Sequence, residues 1–207
     1  MARVELYKER TSQLAVNPTR FTLWLFLITV TMLFAAFTSA LIVSRTDAIQ
    51  NGSWISYSIP NIFTFSTVVI ALSSLSMQWA YYNAGKNEID KNRLALWITF
   101  ILGMVFLVAQ VLGYKALTAN GIHLTGDSTV VNGHSVAAKN GAFFYVISGI
   151  HALHVVGGVF ILLFTLISAY RFRVHSRNML RINLCTTYWH FIGVLWVYLF
   201  AILNIFS

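Results

Sequence analysis

The chain has 207 residues, of which 57% are apolar and only 10% are charged, and its mean hydropathy is +0.71. A soluble domain would carry about 25% charged residues, so the composition excludes a soluble protein and indicates an integral membrane protein. The formal net charge of +8 does not indicate nucleic acid binding, because the 14 basic residues lie in short segments beside apolar runs.

Two apolar runs occupy the first part of the chain. Residues 1–21 form a polar leader, which we expect on the cytoplasmic side, and residues 22–44 form a first span. That run is longer than the apolar segment of about 7 to 15 residues in a cleavable secretory signal, so we interpret it as retained. The second span, residues 60–82, starts at Pro60, and proline suits the first position of a helix.

Three further apolar runs complete the pattern. The third span covers residues 94–117, and the polar segment 118–141 follows it. The fourth span covers residues 142–170 and the fifth covers residues 184–206. The sequence therefore predicts an all-α polytopic membrane protein, in which a bundle of five transmembrane helices forms one domain at residues 22–207.

The segment between the third and fourth spans contains alternating polar and apolar residues. Residues 122–124 and 129–131 each alternate, and Gly126, Asp127 and Ser128 lie between them. Alternation on both sides of turn residues is typical of a hairpin. We therefore expect a small hairpin outside the membrane that turns around these three residues.

Five spans would place alternate connections on opposite sides of the membrane, and the basic residues are distributed unequally between these two sides. The leader and the second and fourth connections hold 11 of the 14 Lys and Arg residues. Basic flanking residues are retained on the cytoplasmic side. The sequence therefore predicts a cytoplasmic N-terminus and a C-terminus on the outer face.

Two histidines lie close together near the middle of the fourth span. His151 and His154 are three residues apart, so they share one face of the helix, and Gly158 lies one further turn along it. An ionisable side chain at bilayer depth needs a partner, and glycine lets a neighbouring helix come close. We therefore expect this face to pack against protein. Gln110 in the third span and His190 in the fifth are predicted to make interhelical contacts as well.

Haem or copper binding is the alternative interpretation of the histidines. Neutral histidines on facing helices can ligate haem in a bundle, and His154 and His190 would be the pair in a small b-type membrane cytochrome. The single cysteine, Cys185, excludes a disulfide within the chain and a thiolate cluster. We favour a packing role for the histidines, with no catalytic residue and no cofactor or metal ligand in this chain.

Acidic and aromatic residues also bear on function. All six acidic residues lie outside the five predicted spans, which argues against a stand-alone ion or proton transporter. The fifth span is rich in aromatic residues, and we interpret them as a lipid-facing and packing surface. These residues are Tyr188, Trp189, Phe191, Trp196, Tyr198 and Phe200.

The whole pattern resembles subunit III of the haem-copper terminal oxidases, the cytochrome c oxidase family. The strongest matches are residues 149–158, Gly-Ile-His-Ala-Leu-His-Val-Val-Gly-Gly, and residues 188–196, Tyr-Trp-His-Phe-Ile-Gly-Val-Leu-Trp. They resemble the Gly-x-His-x-x-His-Val and Tyr-Trp-His-Phe stretches of that family. Five spans resemble its shorter bacterial form.

The resemblance implies a noncatalytic subunit of a bacterial cytoplasmic membrane, assembled with oxidase subunits I and II, in which the haem and copper lie outside this chain. It also implies bound phospholipid and a supporting role in electron transfer to oxygen coupled to proton translocation, and it is compatible with a larger respiratory supercomplex. Two related alternatives stay open at this point, namely subunit III of a quinol oxidase and the accessory subunit of a nitric oxide reductase.

Three positions depart from the family pattern. Where the family commonly has a carboxylate within a span, this chain has Val30 in the first, Gly113 in the third and Gly193 in the fifth. The chain therefore lacks the groups on which a role in feeding protons or tuning an oxygen path would depend.

The predicted orientation can be tested by labelling. A cysteine placed at Ser128 should react with a membrane-impermeant thiol reagent in intact cells, and one placed at Asn87 should not, because the two positions lie on opposite sides of the membrane. The reverse labelling pattern would contradict the five-span topology.

Overall fold

The structure is a computed structural model that describes residues 18–50, 59–119, 129–131, 134–136, 139–171 and 179–205. Most of the predicted leader and the expected turn at 126–128 lie outside the described residues. The same holds for residues 172–178 of the basic fourth connection.

Five long α-helices make up nearly all of the described chain. They are α1 (Pro18–Gln50), α2 (Asn61–Gly85), α3 (Ile89–Ala119), α4 (Lys139–Tyr170) and α5 (Leu180–Ile205). All five are long and apolar enough to cross a membrane, so the prediction of five transmembrane helices is confirmed. The helices extend beyond several predicted spans, most clearly in α1, which continues to Gln50 because helical backbone can protrude from the hydrocarbon core.

Helices α2 to α5 form a four-helix arrangement, and α1 lies beside it. Helix α2 packs along α3, α3 packs on α4, and α5 lies against both α2 and α4. Among the described residues, α1 contacts only α4 and α5. Helix α5 therefore has α1 on one side and α2 on the other.

A tight connection joins α2 to α3. The amide of Glu88 donates to the carbonyl of Asn83 at 3.0 Å, and Asn87 adopts a left-handed backbone with φ of 58°. Asparagine tolerates this conformation better than most residues. Glu88 also pairs with Lys91 at 2.7 Å, and the hydrogen bond from Lys91 lowers the pKa of the Glu88 carboxyl.

A short antiparallel hairpin lies in the segment between α3 and α4. Strand β1 (Thr129–Val131) pairs antiparallel with β2 (His134–Val136), with Val131 opposite His134. The two residues between the strands are Asn132 and Gly133, a dipeptide that favours two-residue hairpins. Residues 129–131 therefore form the first strand of a short hairpin, and the expected turn at 126–128 lies outside the described residues.

Aromatic side chains fill the centre of the bundle, and apolar side chains also cover its outside. The largest fully buried side chains include Phe34, Phe63, Phe106, Trp189 and Trp196. Large apolar side chains such as Leu153 and Phe164 are 70% exposed, as expected for a surface in contact with lipid.

A glycine in α3 is essential for the approach of α2. A Cβ atom at Gly113 would lie 2.6 Å from Cζ of Phe63, whose ring is buried and packs at 5.1 Å from the ring of Phe144. A Cβ atom at Gly149, in contrast, would meet no atom within 4 Å. Gly113 and Phe63 therefore form one packing unit.

This packing unit predicts different outcomes for two glycine substitutions. Gly113→Ala should destabilise the protein by about 1–3 kcal/mol through overpacking, whereas Gly149→Ala should not destabilise it. Thermal unfolding of the detergent-purified protein measures both. Adding Phe63→Leu to Gly113→Ala should recover part of the loss, and equal stability of the two alanine variants would refute this explanation.

Candidate functional site

Two tryptophan side chains of α5 bind hydroxyl groups of α2 at membrane depth. Trp189 Nε1 donates to Ser73 Oγ at 2.8 Å, and Trp196 Nε1 donates to Thr67 Oγ1 at 3.0 Å. Residues seven apart lie on the same face of a helix after two turns, so both indoles point toward α2. Both tryptophans are fully buried. Within the predicted lipid-facing and packing surface of α5, these two residues therefore belong to the packing part, because each indole N–H finds an acceptor inside the bundle.

Side chains of α3 bind the other side of the same helix. Gln110 Nε2 donates to Ser66 Oγ at 3.1 Å, and Thr99 Oγ1 donates to Ser76 Oγ at 3.1 Å. Nearer the end of α2, Asn92 Nδ2 donates to the carbonyl of Ala80 at 2.7 Å. We call the acceptor hydroxyls of α2, namely Ser66, Thr67, Ser73 and Ser76, the hydroxyl row. It joins α2 to both α3 and α5.

His151 lies where four helices meet. Its side chain is fully buried, and its ring centroid lies 5.0 Å from that of Trp196, 6.2 Å from Phe106 and 6.3 Å from Phe34. Within the described part of the chain, neither ring nitrogen has a hydrogen-bond partner. Its interhelical contacts are therefore ring contacts with α1, α3 and α5.

His154 and Gly158 continue the same face of α4. His154 Nδ1 donates to the carbonyl of Ile150 at 2.8 Å, and its ring lies 5.7 Å from that of Phe34 in α1. The backbone carbonyl of His154 accepts a hydrogen bond from Tyr188 Oη at 3.0 Å. A Cβ atom at Gly158 would lie 2.9 Å from Ile192 Cδ1, so the glycine permits the close approach of α5.

His190 lies on another face and does not join the α4 histidines. Its Nε2–H donates to Gln78 Oε1 at 3.1 Å on the outer surface of α2 and α5. The His154 ring instead packs against Phe26 and Phe34 of α1. The two histidines that a b-type cytochrome would need therefore contact different helices. In the ranges that the structure describes, no group of three His, Cys, Asp or Glu residues could hold a metal ion.

The positions that lack the expected carboxylates are packed with other groups. Val30 is buried, and the space beside Gly113 is filled by the ring of Phe63. A Cβ atom at Gly193 would lie 3.0 Å from Ser74 Oγ. A glutamate at position 113 could not be accommodated unless Phe63 moved.

Comparison with known proteins agrees with the motifs of the fourth and fifth spans. The profile of the family described as "Cytochrome c oxidase subunit III" matches residues 5–207. The cytochrome c oxidase subunit 3 of Corynebacterium diphtheriae is 27% identical over 173 residues, which cover 82% of this chain and 78% of the relative. The probable cytochrome c oxidase subunit 3 of Nocardia farcinica is 28% identical over 178 residues, or 82% of this chain and 79% of the relative. The cytochrome c oxidase subunit 3 of Alkalihalophilus pseudofirmus is 26% identical over 179 residues, or 86% and 82%.

The hydroxyl row predicts a measurable cost for removing one acceptor. Ser73→Ala should lower the free energy of unfolding by about 1–3 kcal/mol, because it leaves the buried indole N–H of Trp189 unpaired. Thr29→Ala is the matched control, since the Thr29 hydroxyl is exposed and donates to the Leu25 carbonyl of its own helix. Thermal unfolding in detergent compares the two variants. Equal losses would mean that the bond from Trp189 to Ser73 does not stabilise the bundle.

Proposed function

Because the chain belongs to the cytochrome c oxidase subunit III family and is subunit III of a haem-copper oxidase, we propose that it is a noncatalytic subunit that stabilises the catalytic core. It is a multi-pass protein of a bacterial cytoplasmic membrane and part of an oxidase complex. The subunit III family has no haem or copper site of its own, so electron transfer to oxygen takes place in other subunits. The alternatives of a b-type cytochrome and a nitric oxide reductase subunit are not favoured.

The main support for this proposal is that buried polar groups at membrane depth form hydrogen bonds between helices of the chain. Buried side chains such as Gln110, Trp189 and Trp196 bind the hydroxyl row of α2 and so join neighbouring helices. The predicted spans contain no carboxylate. These features support a role in building and holding a complex, with subunits I and II as the proposed partners and a larger respiratory supercomplex as a proposed setting.

We also propose that the chain binds phospholipid along α1 and α5. A groove of about 300 Å³ lies between these helices and is lined by Thr31, Phe34, Ala35, Phe191, Val194, Leu195 and Tyr198. Its polar groups are already engaged, because Thr31 donates to its own helix and Tyr198 Oη lies 3.4 Å from Thr38 Oγ1. Such a groove suits an acyl chain.

The orientation and the leader complete the proposal. The basic residues of the two connections at one end of the bundle favour a cytoplasmic N-terminus and an outer C-terminus. The first turn of α1 starts at Pro18, so the leader would be the polar segment before the membrane, and residues 22–207 would form the transmembrane domain.

A stabilising role predicts slow loss of activity when the chain is removed. An oxidase purified without this chain should keep its haem absorption spectrum and much of its initial oxygen consumption. It should inactivate faster during turnover and unfold at a lower temperature, because an apolar flank of its partner is left uncovered. Oxygen consumption over successive turnovers and thermal unfolding measure these effects.

One outcome would contradict a purely stabilising role. If the oxidase without this chain is inactive from the first turnover while its haems remain intact, the chain takes a direct part in catalysis. Restoring the purified chain should return the rate of turnover inactivation to its original value, which controls for damage during purification.

A further inference from the structure

We propose that the surface formed by α2 and α5 is the docking site for a membrane-spanning helix of another oxidase subunit, one that presents a hydroxyl or amide side chain opposite Gln78. The assignment rests on the proposed function, since it requires that the chain is assembled in an oxidase. We call this surface the α2–α5 face. It consists of the hydrogen-bonded pair Gln78 and His190 and of the adjacent groove.

The groove and the polar pair are continuous. The groove has a volume of about 300 Å³ and is lined by Ile70, Ala71, Ser74, Leu75, Gly193, Val194 and Val197. Gln78 lies one helical turn beyond Ser74 on α2, and His190 lies one turn before Gly193 on α5. A partner seated in the groove would therefore contact the pair.

The polar pair lies within the hydrocarbon layer. Gln78 is seven residues from the end of α2, and His190 is ten residues from the start of α5, which correspond to about 10 and 15 Å along the helices. Each helix is about 38 Å long against a hydrocarbon core of about 30 Å, so only about 4 Å protrudes at each end. Both side chains are therefore deeper than the headgroups.

The pair retains hydrogen-bonding capacity that the chain does not use. Gln78 Oε1 accepts from His190 Nε2, which leaves the two N–H donors of the Gln78 amide and the lone pair on His190 Nδ1. Nowhere in the described residues do these groups have a further partner. Gln78 is exposed, and acyl chains offer neither donor nor acceptor.

Three exposed hydroxyls of α1 and a groove on α3 do not have this property. The exposed hydroxyls of Thr22, Thr29 and Thr46 on α1 donate to carbonyls of their own helix. A groove of similar volume on α3 is lined only by apolar and aromatic side chains, namely Trp97, Phe100, Ile101, Met104, Val105 and Val108. Acyl chains can cover these surfaces without leaving a hydrogen-bonding group unpaired. At the α2–α5 face they would leave the Gln78 amide and His190 Nδ1 without partners.

A protein helix fits the α2–α5 face better than a lipid. The floor of the groove contains Ala71, Ser74 and Gly193, and small residues allow two helix backbones to come close. A helix can also place a hydroxyl or amide at a fixed depth opposite Gln78, whereas a lipid headgroup stays at the interface. The occupant is therefore a helix with small residues toward the groove and one polar side chain at the level of Gln78.

Photo-crosslinking in the purified oxidase tests the assignment. A benzophenone amino acid is placed at Leu75, which is 68% exposed on the rim of the groove, and at Leu153 on α4, which is 70% exposed, as the matched control. We expect Leu75 to crosslink to a membrane-spanning segment of another oxidase subunit and Leu153 to react with lipid alone. Peptide mass spectrometry identifies the crosslinked segment.

The alternative occupants give distinct results. Crosslinks from Leu75 only to lipid, or only to a second copy of this chain, would overturn the assignment of the face and leave the proposed function intact. If the chain does not co-purify with any oxidase subunit, the proposed function itself fails.

A second measurement uses the polar pair. Gln78→Leu combined with His190→Leu removes the pair without leaving either side chain unpaired within the chain. We expect this variant to be lost from the purified oxidase about 3- to 20-fold more readily on detergent dilution, the effect of one interhelical hydrogen bond in a membrane. Leu72→Ala, an exposed apolar position on α2, should leave retention unchanged. Equal retention of the double variant and the natural chain would contradict the proposal.

Discussion

The bilayer cannot hydrogen-bond a buried polar group, and this constraint explains why α2 holds the structure together. The serine and threonine hydroxyls of α2 accept hydrogen bonds from Gln110 and Thr99 of α3 on one side and from Trp189 and Trp196 of α5 on the other. Between apolar helices in lipid, packing and such bonds replace the hydrophobic driving force that folds soluble proteins. A Ser- and Thr-rich span therefore serves as the common acceptor for its neighbours.

The three histidines meet the same constraint in different ways. His151 packs among aromatic rings, His154 returns one hydrogen bond to its own helix, and His190 binds Gln78 on the outside. His151 and His154 both pack against Phe34 of α1, whereas His190 lies on the surface between α2 and α5. Together with the packing of Phe63 against Gly113, this arrangement indicates that the interior of the chain is built for cohesion. Its contribution to the oxidase would then be made at its surfaces.

The five spans could be predicted from the sequence, because an apolar run of about 20 residues or more is long enough to cross the bilayer as a helix. The shared face of His151, His154 and Gly158 also follows from helical geometry. Which aromatic residues of α5 are buried could not be predicted, since a span that is apolar all round carries little information about the direction of its neighbours. The pairing of 129–131 with 134–136 was not predicted, although the dipeptide Asn132-Gly133 between these strands favours a hairpin.

The central claim is that this chain supports a haem-copper oxidase without carrying a redox centre of its own. The most direct measurement is affinity purification through this chain from its native membrane, followed by mass spectrometry of its partners and an absorption spectrum of the separated chain. We predict an equimolar haem-copper oxidase catalytic subunit and a colourless separated chain. Haem that stays with the separated chain and is lost in His154→Ala, or a nitric oxide reductase as the partner, would contradict the account.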